Sequence, residues 1–84
     1  MSAEVERGRA LVEQAARELC QARAGNPPEF RWGELTDAPQ RLEIRIEGVD
    51  PIAIEFAAPT LEDQGGLAAA RFTRRKILDG LRSG

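Results

Sequence analysis

The sequence predicts an α+β fold: an N-terminal helix, an antiparallel β-hairpin and a C-terminal helix, with both helices packed on one face of the sheet. Three observations lead there. Leu42, Ile44 and Ile46 alternate with Arg41, Glu43, Arg45 and Glu47, a period of two that sends every second side chain to one face of a strand. After Gly48-Val49-Asp50-Pro51 the alternation resumes, with Ile52, Ile54 and Phe56 set against Ala53, Glu55 and Ala57. On either side of this hairpin the apolar residues recur at helical spacing instead. A two-stranded hairpin alone is marginal in water, so the flanking helices must cover its apolar face.

Residues 3–24 form the first helix. Ser2 can cap it, and Glu4 and Glu6 suit the positive end of the helix dipole. Val5, Gly8, Leu11, Val12, Ala15, Ala16, Leu19 and Cys20 share one side, while Glu13 and Arg17 form an i,i+4 pair on the other. Gly25 is placed to end the helix, and Asn26-Pro27-Pro28 forbids its continuation. Gly8, Ala15 and Ala16 stand where larger residues are expected. Such small residues let another backbone approach closely, either the sheet or a second copy of the helix.

Phe30 and Trp32 alternate around Arg31 ahead of the turn Thr36-Asp37-Ala38-Pro39. If residues 29–34 are extended, the sheet is a three-stranded meander. If they are not, the two aromatics plug the core from a loop. Trp32 is also a candidate interaction residue, on a platform flanked by Arg31.

Within the hairpin a one-residue slip would turn the apolar set into water, so parity is well specified. Two registers keep it. One pairs Ile46 with Ile52 and opposes Glu43 to Glu55; the other pairs Ile46 with Ile54 and opposes Arg45 to Glu55. Opposite charges across a pair are favourable, which selects the second.

Thr60-Leu61-Glu62-Asp63 has the form of a capping box, yet Gly65-Gly66 follows, so residues 60–66 are expected as a short turn and the main helix at 67–82. There Leu67, Ala70, Ile77, Leu78 and Leu81 make a stripe, with Arg74 in its middle and Phe72 nearly opposite. Three accounts fit this breach of one-faced patterning. Arg74 lays its stem along apolar surface with its head in water. Phe72 and Arg74 belong to a self-association or partner interface. Or the glycine pair breaks the helical phase.

The totals bound the function. Eighty-four residues make one domain with a thin core, residues 1–84. No apolar run reaches the roughly 20 residues of a membrane span, and MSAEVERGRA lacks an apolar signal core, so the expectation is a cytoplasmic protein without a membrane partner. One cysteine excludes an internal disulfide, and the absence of His removes the commonest acid/base and metal ligand. Gly65-Gly66 does not match phosphate-loop spacings. Neither a catalytic role nor a cofactor or metal is expected. Arginine supplies eleven of twelve basic residues, a bias suggesting a GC-rich bacterial source.

Net charge is −2, unevenly spread: residues 71–84 carry five cations, Arg71, Arg74, Arg75, Lys76 and Arg82, against Asp79, while residues 41–70 carry two against six acids. The expectation is a protein-interaction or accessory module, acting through homodimerisation that sets the basic helix against Glu43, Glu47 and Glu55 of a second copy, with Phe72, Arg74 and Trp32 at the contact. The alternative is nucleic-acid binding through Arg71, Arg75, Lys76 and Arg82.

Overall fold

In a computed structural model, residues 3–33 and 40–83 are described. Helix α1 spans Ala3–Arg23, strands β1, β2 and β3 span Glu29–Gly33, Gln40–Arg45 and Ile52–Phe56, and helices α2 and α3 span Ala58–Glu62 and Leu67–Ser83. The strands form one antiparallel sheet in the order β1-β2-β3. The α+β expectation holds, and the meander is the correct alternative, since Glu29–Gly33 is a strand. The Ser2 cap, Glu34 and the turn at Thr36–Pro39 lie outside the described residues.

The first helix follows from its pattern. Val5, Gly8, Val12, Ala15, Ala16 and Cys20 are buried, and the Glu13–Arg17 pair forms at 3.0 Å. Gly25 takes a left-handed φ of 75° and donates its amide to the Cys20 carbonyl at 3.0 Å, ending the helix as expected. The core then gathers Leu42, Ile44, Ile46, Ile54 and Phe56 from the sheet, Leu61 from α2, and Ala69 and Ile77 from α3.

The strand register corrects the expectation. Leu42 pairs with Ile54 and Ile44 with Ile52, so neither anticipated register is present, although parity is kept. Ile46 lies beyond the last pair, where its carbonyl accepts from Val49 N at 3.0 Å across a turn holding Gly48 at φ 82°. Pairing therefore stops earlier than a compact hairpin would allow. The opposite-charge rule survives in a different form: Arg41 faces Glu55, while β1 sets Glu29 opposite Arg45 and Arg31 opposite Glu43. Arg45 is the partner of β1, which a hairpin treated alone does not contain.

Two corrections concern the last third of the chain. The capping box does not form: α2 begins at Ala58, with Pro59 in its first turn, and its N-cap Ala57 makes no side-chain hydrogen bond. Its carbonyl accepts instead from Thr60 N and Leu61 N at 3.0 and 3.2 Å. Gln64, Gly65 and Gly66 then take positive φ in succession, 54°, 67° and 102°, and this break resets the phase of α3. Ala69, Ala70, Thr73 and Ile77 are buried, whereas Leu67 is 49% exposed and Arg74 lies on the solvent side. Arg74 is therefore not in the core stripe. Thr73 takes that place because its hydroxyl donates to the Ala69 carbonyl at 2.8 Å, leaving its methyl to pack as an apolar group.

Gly8, one of the small residues on α1, serves a close contact within the chain to α2 and the turn that follows it, not to the sheet. A Cβ on Gly8 would meet the backbone of Leu61, and a Cβ on Gly66 would stand 2.7 Å from Gly8 Cα. At the far end, Arg23 and Ala24 share a groove with Leu78, Leu81 and Arg82. The start of α1 thus meets the start of α3 and the ends meet too: the helices run parallel over one sheet face.

Candidate functional site

The other sheet face carries charge, and none of the described helices packs on it. Glu29, Arg31, Arg41, Arg45 and Glu55 are exposed there, and each of the cross-strand pairs named above sets an acid against a base. Glu43 also accepts from Arg45 Nε at 2.8 Å, and that guanidinium holds the Glu43 carboxyl below its ordinary value. With β1 in place, the hairpin face is balanced rather than acidic. Glu43 and Glu55 already face arginines, which leaves them poorly placed to receive the basic helix of a second copy.

The aromatic pair of β1 turns inward and is covered by α1. Arg9 lies over the Trp32 ring at 4.9 Å, Arg17 over the Phe30 ring at 5.3 Å, and the indole N–H of Trp32 donates to Glu13 Oε2 at 2.8 Å. Arg9 Nε donates to Gln40 Oε1 at 2.6 Å. Arg31 points to the opposite face, so the Phe30–Trp32 platform is filled by α1's own guanidiniums. Trp32 packs against Phe56 with ring centroids 6.1 Å apart.

Phe72 is differently placed. It is 40% exposed and meets Phe56 edge-on at 6.2 Å, with Lys76 Nζ 5.4 Å from its ring centroid. Nearby along α3, a Cβ on Gly80 would stand 2.7 Å from Ile52 Cδ1. Eight helical residues advance about 12 Å and four strand residues about 13 Å, so α3 lies antiparallel along β3 with matched length. Phe72 therefore stands beside the outer edge of β3, which no described strand pairs. An unpaired edge presents backbone donors and acceptors that a further strand can take up.

The cations of the C-terminal helix lie apart from the sheet's charges. Arg71, Arg74, Arg75, Lys76 and Arg82 are all exposed. Two ion pairs among the described residues, Arg17–Glu13 and Arg45–Glu43, lie elsewhere, and Asp79 stands among the cations of α3 with an interaction of its own. At about 100° per residue, Arg71, Arg75, Leu78 and Arg82 form the stripe opposite Ala69, Thr73 and Ile77, with Arg74 on the flank toward α1 and Lys76 toward β3. Sequence alone found these cations but not their direction, because the glycine break set the phase.

Cys20 is fully buried and its thiol pKa is pushed up by that burial. No three His, Cys, Asp or Glu side chains gather in a metal-holding group among the described residues. No described helix is long and apolar enough to cross a membrane. No family model matches the chain, and no curated protein or solved structure matches it.

Proposed function

We propose that this chain is a non-catalytic interaction module that self-associates through the outer edge of β3. The carrying observation is Phe72, an aromatic 40% exposed beside the outer edge of β3, which no described strand pairs. Antiparallel pairing of β3 with a second copy about Ile54 sets Ile52 opposite Phe56 and Ala53 opposite Glu55, with no like charges face to face. It joins two three-stranded sheets into one whose apolar face runs on without a break, and Phe72 of each copy covers the seam. The same operation on β1 sets Arg31 against Arg31. A charged edge of that kind resists pairing, so β1 is guarded and β3 is open.

The test is native mass by light scattering across micromolar concentrations, at low and moderate salt. Wild type is expected as a dimer that persists in salt, because backbone pairing and apolar contact carry it. Phe72→Lys is expected to give a folded monomer with unchanged far-ultraviolet circular dichroism. A wild-type monomer at high micromolar concentration overturns the proposal. So does a Phe72→Lys variant that still dimerises.

A further inference from the structure

We infer that the outward face of α3 is a binding surface for the phosphate backbone of duplex nucleic acid. It goes beyond self-association and does not require it. The face is built from Arg71, Arg75 and Arg82 in one stripe, with Arg74 and Lys76 on its flanks and Arg23 at the shared C-terminal end of the two parallel helices. All six cations are exposed, and Asp79 is the one acid of α3 against the five cations that helix carries.

Charge complementarity selects the occupant. From Arg71 to Arg82 the helix advances about 16 Å, the rise of roughly five base pairs, so the stripe matches a row of successive phosphates. Arginine supplies all but one of these cations, and its planar fork engages phosphate oxygens in pairs. A protein partner needs an apolar anchor that fills a pocket. On this stripe the apolar residues are Leu78, half-buried between arginines, and Leu67, 49% exposed one turn ahead of Arg71; they stand about 16 Å apart along the helix and form no continuous anchor. A single strand needs aromatic platforms for its bases. Phe30 and Trp32 are covered by Arg17 and Arg9, and Phe72 stands on the β3 flank instead. A second copy brings like charge. Regularly spaced backbone phosphate fits what remains.

A net charge of −2 does not oppose this. Salt confines each charge's influence to about 10 Å, and the sheet's own charges are matched on the far face of the molecule. Because the contacts are to backbone, recognition should be indifferent to base sequence.

The experiment is fluorescence anisotropy of the full chain with a mixed-sequence DNA duplex of about two helical turns, and with the RNA duplex of the same sequence, across a salt series. Binding of either duplex at about 50 mM salt is expected, with affinity falling on the order of 100-fold by about 200 mM, the slope for about four phosphates. Arg71→Gln/Arg75→Gln/Arg82→Gln is expected to lose binding while keeping its melting curve and native mass. Phe72→Lys, if monomeric, is expected to retain binding, which separates this surface from the β3 edge. Failure of wild type to bind either duplex at low salt overturns the inference. It is also overturned by unaltered affinity in the triple variant, or by equal affinity for polyglutamate or for anionic phospholipid vesicles, which would indicate a generic cationic surface.

Discussion

Gly8 lies directly under Leu61: a Cβ on Gly8 would run into the Leu61 carbonyl oxygen and stand 2.9 Å from its carbon. Both obstacles are backbone, so no side-chain rotation relieves them, and α2 must shift if Gly8 grows. Gly8→Ala is expected to lower stability by about 3 kcal/mol, the upper range for overpacking, measured by urea denaturation. Gly25→Ala is the control. Nothing approaches within 4 Å of its Cβ site, so only the left-handed φ of 75° opposes it, and the loss is expected at about 1 kcal/mol. Equal losses in the two variants would mean that close helix approach does not set the position of α2.

Thr73 is a polar residue with no exposure, and its hydroxyl is satisfied within its own helix. Thr73→Val keeps the shape and removes only a donor whose acceptor, the Ala69 carbonyl, lies in the helix backbone. Stability should stay within about 0.5 kcal/mol or rise. Thr73→Ser keeps the hydroxyl, deletes a buried methyl and should lose about 1 kcal/mol. If Val proves the more damaging change, the hydroxyl has a role that this packing does not describe.

Cys20 gives a pH-dependent prediction. Its folded pKa is raised by burial, so folding disfavours the thiolate. Stability is then independent of this group below the unfolded thiol's pKa, about 8.5, and is lost as pH rises through that value toward the folded one. Cys20→Ala should flatten that alkaline slope. A thiol-specific disulfide reagent at neutral pH should modify native Cys20 only as fast as the protein opens. Modification at the rate of a small free thiol would show that Cys20 is accessible.

The aromatic cluster at β1 and the open flank at Phe72 show how differently two halves of a site can be read from residues alone. Arg9, Glu13 and Arg17 follow one another at four-residue spacing on α1, and Phe30 and Trp32 at two-residue spacing on β1. Each pattern is visible locally. That they meet, so that guanidiniums cover rings and Glu13 accepts from the indole, depends on how the strand lies beneath the helix. No local period contains that information.

Periodicity by itself determined the element types, the inward parity of Leu42, Ile44, Ile46, Ile54 and Phe56, and the buried side of α1. These depend on the spacing of side chains along one element, where water either is or is not excluded from a face. Tertiary structure decided the rest. The register belongs to three strands, since Arg45 serves Glu29 and Arg41 serves Glu55. The phase of α3 belongs to the left-handed run at Gln64–Gly66 and to Thr73, whose intrahelical hydrogen bond lets a polar residue occupy a core position. Once that phase is set, Leu67 and Arg74 turn to solvent, Phe72 stands at the β3 edge, and the arginines of α3 point away from the sheet. Hydrophobicity along a chain cannot give these placements, because each arises from backbone conformation or from a contact distant in sequence.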